Sequence, residues 1–282
     1  PRSSHPSEGG PCRKITPSSQ SHPRLWETRV WGLGKSFFSL LFLASIAVGC
    51  KDSQATLTQI NGKQIAITDS LKGDEAILEY IAPYRQRIDD EMGAVLAYAP
   101  TSLSKSEGPY NTAIGNMMAD AVYELSNPVF KKRTGKEIDA VLLNHGGIRS
   151  TLNAGDVTMR TAFDIMPFEN SVVEVELSSE QIKEMFSYLE SGKAHPISNM
   201  QIILDQDEKL KSTTINGKPV EEGKTYFVAT NDYLQQGGDR MTFFSKPVSM
   251  EVLDYKIRTI LVDYFKAKDT IAPVRDDRFI QE

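Results

Sequence analysis

A glycine-rich segment, Asn144-His-Gly-Gly-Ile-Arg149, carries residue types suited to binding a small polar ligand. It follows an apolar run, residues 140–143, that is typical of a buried strand. Adjacent glycines let the backbone turn sharply and let a ligand approach closely. The amide of Asn144 can donate and accept hydrogen bonds, and the planar guanidinium of Arg149 suits a carboxylate or a phosphate. Taken alone, the segment is equally consistent with a plain tight turn that carries two surface polar residues.

Two further segments bring aromatic side chains to the ends of predicted strands. Pro167-Phe168-Glu-Asn170 precedes one strand, and Asn231-Asp-Tyr-Leu-Gln-Gln-Gly-Gly-Asp239 follows another. Two aromatic rings on loops can clamp a flat base, and base–aromatic stacking contributes about 1–3 kcal/mol per base. Ordinary packing of Phe168 and Tyr233 in a core or a loop is the alternative. We expect four glycines to support the binding loops: Gly146 and Gly147 in the Asn144–Arg149 segment, and Gly237 and Gly238 in the segment that ends at Asp239.

In their order along the chain, these motifs resemble the C-terminal, substrate-recognising domain of the 5′-nucleotidases. The resemblance also includes Gly115-Asn-Met-Met-Ala-Asp120, and it covers roughly residues 55–270. It implies a layered α/β/β/α domain, and strands and helices that do not strictly alternate also favour an α/β class with a mixed sheet. The roles that it implies are nucleotide contact for Asn144 and Arg149, a base sandwich for Phe168 and Tyr233, and ribose binding for Asp239.

Two departures from the family pattern bear on catalysis and on the binding of charged ligands. Complete members carry an N-terminal metallophosphatase domain with two metal ions, which needs a cluster of nitrogen and oxygen ligands. After Cys50 the only histidines are His145 and His195, and the first family motif begins about 60 residues later, too short a span for another typical domain. We therefore expect no metal site, no cofactor and no catalytic residue in this chain.

Tyr110 takes a place where the family often has an arginine, which leaves Arg149 as the matched cation. His145 is expected to be a hydrogen-bonded turn histidine.

The sequence thus predicts a domain that recognises a nucleotide or nucleoside, as the substrate-binding part of a split nucleotidase in nucleotide catabolism. Divalent metals would then belong to a separate metallophosphatase chain. A standalone nucleotide-binding lipoprotein, or a scaffold with a vestigial pocket, is the alternative, and whether the chain is an enzyme stays open. The composition, 40% hydrophobic and 24% charged with a net charge of −5, is that of a globular protein without the basic stripe that nucleic-acid binding requires.

The N-terminal residues predict export and membrane anchoring. Residues 1–32 are rich in Ser, Pro, Arg and Gly, and we interpret them as unstructured or as translated upstream sequence. Residues 33–49 combine Lys35 with a short apolar run that ends at Cys50, which is typical of a lipoprotein signal peptide. This run is shorter than the ~20 residues that span a bilayer. We expect lipidation at Cys50, a tether through residue 54, a single domain over residues 55–282, and a lipid-anchored protein on the periplasmic or outer-membrane face of a bacterial envelope.

Hydrophobic periodicity and turn residues predict the elements of the domain. Asn61-Gly62 predicts a hairpin between residues 56–60 and 64–67. Three acidic pairs, Asp89-Asp90, Glu221-Glu222 and Asp276-Asp277, are expected on the solvated surface. Helices are predicted over residues 74–92, 111–125, 178–189 and 251–265, and strands over residues 140–143, 172–177, 201–204, 212–215 and 225–230.

Overall fold

The computed structural model describes residues 57–68 and 70–282, and residues 70–282 form one compact unit. The predicted signal peptide, lipidation site and tether lie outside the described residues. The hairpin prediction around Asn61-Gly62 is wrong, because residues 57–68 contain no strand. Apolar side chains in this segment, such as Ile60 and Ile67, are exposed. A two-stranded hairpin that buries no apolar face is marginally stable, which explains why the turn signal is not enough.

The compact unit consists of helices and strands that are interleaved along the chain. Its helices are α1 (Glu75–Met92), α2 (Ala113–Thr134), α3 (Met159–Ile165), α4 (Ser179–Leu189), α5 (Asp232–Gln235) and α6 (Ile257–Ala267). Its strands are β1 (Val95–Ala99), β2 (Ala140–Leu142), β3 (Gly155–Thr158), β4 (Ser171–Ser178), β5 (Ile197–Ser198), β6 (Met200–Leu204), β7 (Leu210–Ile215), β8 (Thr225–Asn231), β9 (Ser249–Lys256) and β10 (Phe279–Gln281). Short 3₁₀ turns cover His145–Gly147, Gly238–Arg240 and Thr242–Phe244.

A five-stranded mixed sheet in the order β5-β2-β8-β4-β9 separates two hydrophobic cores. Within it β2 and β8 are parallel, and the other neighbouring strands are antiparallel. One face packs against α2 and α6, and the other packs against α4 and a three-stranded sheet in the order β10-β6-β7. The predicted α/β mixed-sheet class and the layered α/β/β/α architecture are confirmed.

Strand β4 faces both cores, and one of its inward positions holds a carboxyl group. Val173 and Val175 point into the core beside α4, whereas Glu174 faces α2 and lines a small cavity with Phe130 and Thr134. Glu174 is 1% exposed, and neither of its carboxyl oxygens has a hydrogen-bond partner in the part of the chain that the structure describes. Burial raises the pKa of Glu174 to about 8, so this side chain is mostly protonated at neutral pH.

Three of the predicted helices differ from expectation. The helix predicted over residues 111–125 is longer than expected, because α2 continues to Thr134. Helix α1 forms where predicted, with the Asp74 side chain accepting from the Ile77 amide, but no residue of α1 is buried. The predicted helix over residues 251–265 is wrong in its first part, because residues 249–256 form β9, which pairs antiparallel with β4. Pairing along an open sheet edge outweighs local helical periodicity there. In the described residues, no helix is both long and apolar enough to cross a membrane.

Candidate functional site

The residues predicted to contact a ligand line one cavity of about 440 Å³, which we call the aromatic cavity. It lies between the loop after β2, the loop after β8 and the segment before β4. Its volume suits a small-molecule ligand. Its lining residues are Asn144, Gly146, Gly147, Arg149, Phe168, Asn170, Tyr233 and Asp239.

The glycines after β2 allow the Asn144 side chain to lie close to its own loop. The loop closes through a hydrogen bond from the Gly147 amide to the Asn144 carbonyl at 3.0 Å. A Cβ atom on Gly147 would lie 3.1 Å from Asn144 Oδ1, tighter than ordinary contact. A side chain at position 147 would therefore require the Asn144 amide to shift by a few tenths of an ångström.

Two residues at the start of α5 connect the three loops around the aromatic cavity. Asn231 caps α5 by accepting from the Leu234 amide at 2.8 Å, and its Nδ2 donates to Asn144 Oδ1 at 3.2 Å. Asp232 Oδ1 accepts from Asn170 Nδ2 at 2.6 Å and from the Tyr233 amide at 2.8 Å. The loops that carry the two aromatic residues are thus joined by one carboxylate.

Tyr233 and Asp239 form a closed hydrogen-bonded turn on the third loop. The Tyr233 hydroxyl donates to Asp239 Oδ1 at 2.9 Å and accepts from the Asp239 amide at 3.2 Å. Gly237 adopts a φ of +88°, in the left-handed region that favours glycine. A Cβ atom on Gly238 would lie 2.5 Å from the Tyr233 ring, so this glycine makes room for the ring itself. Gly238 therefore serves the position of the aromatic side chain, whereas Gly237 serves the turn of the backbone.

Arg149 is exposed and only weakly engaged by the protein. Its Nη1 donates to the Gly146 carbonyl at 3.4 Å, and its Cζ lies 5.8 Å from the centre of the Phe168 ring. The charged lining residues of the aromatic cavity are Arg149 and Asp239. A guanidinium with free donors beside an aromatic face can bind an anionic group attached to a flat ring.

Three polar residues of the site were not among the predicted ligand contacts or supports. Asn170 lines the aromatic cavity, and Asn231 and Asp232 join its loops. Asn170 and Asp232 stand in motifs used for the family resemblance, Asn231 directly precedes one, and an Asn-Asp pair ahead of a short helix is a capping signal. Tyr110, predicted at the place of a family arginine, lies elsewhere: its hydroxyl donates to Gln281 and its ring packs on Phe279.

A second cavity, of about 460 Å³, lies around Arg278 and has a different character. The Arg278 guanidinium donates to Asp120, to Asp276 and to the Ile197 carbonyl, at distances between 2.7 and 3.0 Å. Asp120 belongs to the first family motif, and its hydrogen bonds with Arg278 join α2 to the C-terminal segment. We call this the Arg278 cavity, and its lining residues are Asp120, Ser198, Asn199, Met200, Gln201, Thr214, Asn216, Gly217, Asp276, Asp277 and Arg278.

Comparisons with known proteins agree on one family. A family model described as 5′-nucleotidase, C-terminal domain matches residues 95–246. The 5′-nucleotidase of Vibrio cholerae serotype O1 is 24% identical over 237 residues, which cover 78% of this chain and 39% of that protein. Protein UshA of Escherichia coli K12 is 33% identical over 115 residues, which cover 38% of this chain and 20% of that protein. The chain therefore spans less than half the length of these curated relatives.

Solved structures show the same fold. The 5′-nucleotidase precursor of Thermus thermophilus superposes with a TM-score of 0.61 at 19% identity, covering 72% of this chain and 42% of that chain. The NAD nucleotidase of Haemophilus influenzae superposes with a TM-score of 0.56 at 17% identity, covering 74% of this chain and 42% of that chain.

Proposed function

Because this chain belongs to the 5′-nucleotidase C-terminal domain family, we propose that it binds a nucleotide or nucleoside in the aromatic cavity. One observation carries this proposal: Phe168 and Tyr233 remain 42% and 44% exposed on the cavity that also holds Arg149 and Asp239. A flat base would stack on the rings, since every base has an apolar π-face. The ribose hydroxyls would bind the Asp239 carboxylate, and a phosphate would bind Arg149.

Calorimetric titration with adenosine and with ribose 5-phosphate tests this proposal. Stacking on Phe168 and Tyr233 predicts saturable binding of adenosine at one site, and weaker binding of ribose 5-phosphate because it lacks a base. Tyr84 is 60% exposed and lies on α1, outside the cavity, so Tyr84→Ala is a matched control that should bind adenosine like the unaltered chain. No detectable heat or saturation with adenosine, AMP or their guanine counterparts would contradict the proposal.

We further propose that hydrolysis requires a separate metallophosphatase chain, which would supply the divalent metals. Two observations support this: the described residues contain no group of three or more His, Cys, Asp or Glu side chains that could hold a metal ion, and the family model that matches is that of the C-terminal domain. A two-metal site would have to approach the phosphate at Arg149, because both attacking and leaving oxygens need a metal.

The measurement is phosphate release from AMP with added Mg²⁺, Mn²⁺ or Zn²⁺. The chain alone should release none, and a mixture with a co-purifying metallophosphatase should show a lowered KM for AMP. Robust metal-dependent release by the chain alone would contradict the split-enzyme proposal. An unchanged KM in the mixture would favour the alternative, a standalone nucleotide-binding lipoprotein or a scaffold.

The proposed location is the bacterial envelope, with a lipid anchor at Cys50. The support is the short apolar run before Cys50, which is typical of a lipoprotein signal peptide. Several acyl chains would hold the protein at the membrane firmly, whereas one chain binds only marginally. Membrane fractionation of Cys50→Ser tests it, and we expect release of the protein or retention of its signal segment. Unchanged processing with wild-type membrane content would rule out lipidation at Cys50.

A further inference from the structure

His195 lies behind the Asn144–Arg149 loop and is 2% exposed, so it lines no part of the aromatic cavity. We propose that His195 is a positioning residue, which holds this loop in the shape that binds a nucleoside. The effect of His195 on binding rests on the proposed function, but the hydrogen bonds between His195 and the loop do not depend on which ligand binds.

Three hydrogen bonds join the start of the loop to residues 194–196. The His145 amide donates to His195 Nδ1 at 3.2 Å, and the His145 ring Nδ1 contacts the Ala194 carbonyl at 3.0 Å. Two residues before His145, the Leu143 amide donates to the Pro196 carbonyl at 2.9 Å. The segment before β5 thus holds the chain just where it leaves β2 and enters the glycine turn. This also confirms His145 as a hydrogen-bonded turn histidine.

The partners of the two histidine rings require opposite tautomers. A backbone amide can only donate, so His195 Nδ1 must accept and its proton must lie on Nε2. A backbone carbonyl can only accept, so His145 Nδ1 must carry a proton. His195 Nε2 is buried without a hydrogen-bond partner in the described residues, so in this tautomer its N–H is unsatisfied, a cost that the Nδ1 contact and the ring packing must offset.

His195 also packs against the support of the third loop. Its ring centre lies 5.6 Å from that of Tyr188, and the Tyr188 hydroxyl donates to the Asp239 carbonyl at 3.0 Å. One buried imidazole therefore touches the anchors of both the Asn144 loop and the Asp239 loop. Loss of the Nδ1 acceptor should therefore misplace the Asn144 loop even where a ring still packs on Tyr188.

The surroundings of His195 keep its ring uncharged. Burial is the main cause that lowers the pKa of His195 to about 4, followed by the positive charge of Lys193, while the Leu143 backbone and the charge of Asp239 oppose the change. The other titratable groups that face it are His145 and Tyr188. Protonation would place an N–H donor against the His145 amide, so the loop contact requires the neutral ring.

Two substitutions at this position separate the hydrogen bond from the fold. His195→Phe keeps a ring but removes the acceptor, and we expect adenosine affinity to fall about tenfold, as when a partly buried donor loses its partner. His195→Asn restores an acceptor at the Nδ1 position and should bind within about threefold of the unaltered chain. Phe265→Leu, a core change on α6, is the control for general destabilisation and should leave affinity unchanged.

The outcomes discriminate between this inference and the proposed function. If adenosine binds but His195→Phe binds equally well, or if Phe265→Leu weakens binding as much, the positioning role is wrong. If the unaltered chain does not bind adenosine, the proposed ligand fails, and ¹⁵N NMR of the rings tests the bonds separately. We expect an Nε2-protonated His195 and an Nδ1-protonated His145, and finding the same tautomer in both would overturn the inference.

Discussion

The aromatic cavity and the Arg278 cavity are nearly equal in volume but differ in what their charged groups contact. Arg278 has a side chain 16% exposed and donates to two carboxylates and a carbonyl, whereas Arg149 is exposed and makes one long hydrogen bond. The aromatic cavity also presents Phe168 and Tyr233 to solvent, whereas no aromatic residue of the described chain lines the Arg278 cavity. The cation of the Arg278 cavity is already paired within the protein.

The difference separates a structural cavity from the proposed binding cavity. A buried guanidinium whose donors are satisfied by carboxylates stabilises a fold but has little left to offer a ligand. An exposed guanidinium beside bare aromatic rings contributes little to stability and gains hydrogen bonds and stacking when a ligand arrives. Concavity alone does not identify the site; uncommitted donors and aromatic faces do.

Glu174 differs from both Arg278, which is paired within the protein, and Arg149, which is exposed to solvent. It has no hydrogen-bond partner in the described residues and is buried from solvent. Its pKa of about 8 lies above the ordinary 4.5, so between these pH values the folded chain keeps a proton that the unfolded chain loses. The free energy of unfolding should therefore decrease as pH rises from about 4.5 to about 8. Glu174→Gln removes this dependence and should stabilise the protein at pH 8 on the order of a few kcal/mol. Urea unfolding at pH 5 and pH 8 measures it, and a pH-independent difference between the two proteins would contradict a buried titrating carboxyl.

Arg278→Ala should affect stability without affecting binding. It leaves Asp120 and Asp276 without their cation, and we expect a loss of about 2 kcal/mol, less than for a fully buried pair because both carboxylates are partly exposed. Affinity for adenosine should not change. A loss of affinity in a folded Arg278→Ala protein would mean that the two cavities are coupled and would break the comparison.

Gly238→Ala should displace the Tyr233 ring, because the new Cβ atom would lie 2.5 Å from it. We expect adenosine affinity to fall about tenfold, the order of one lost stacking contact. Gly237→Ala is the matched control: its Cβ atom would meet nothing within 4 Å, and its φ of +88° costs about 1 kcal/mol of stability. Full affinity in Gly238→Ala would show that the ring position does not matter for binding.

Arg149→Ala should distinguish charged from uncharged ligands with almost no change in stability. Since Arg149 is exposed, unfolding should shift by less than about 0.5 kcal/mol. AMP should lose about 1 kcal/mol more binding free energy than adenosine, because only AMP carries an anion for the guanidinium. Equal losses for the two ligands would place the phosphate away from Arg149.

The loops of the aromatic cavity could be identified from the sequence. Taken alone, the glycine segment is equally consistent with a tight turn and the aromatics with ordinary packing, so the order of the motifs along the chain was what identified the loops. Asn231 and Asp232 were not assigned support roles, because their partners Asn144 and Asn170 lie far away in sequence and a capping signal does not show a tertiary bond. The supporting role of His195 requires the same long-range information.

The fold class was predictable from the order of strand and helix patterns, but two segments depended on tertiary context. Residues 251–256 have a helical pattern but lie in the edge strand β9, because they form backbone hydrogen bonds with the neighbouring strand β4. Residues 56–67 contain a strong turn signal, but residues 57–68 remain irregular because nothing buries their apolar side chains. Helix α1 follows its apolar period, but the absence of any buried residue in it could not be derived from that period.

The central claim is that Phe168 and Tyr233 bind a nucleobase, and calorimetry on their alanine variants tests it most directly. Phe168→Ala and Tyr233→Ala should each weaken adenosine binding by about 1–3 kcal/mol, and the double variant should show no saturable binding in the range measured for the unaltered chain. Tyr84→Ala, which removes an exposed aromatic ring outside the cavity, should bind normally. Unchanged adenosine affinity in the folded double variant would contradict the account and move the binding site away from the aromatic cavity.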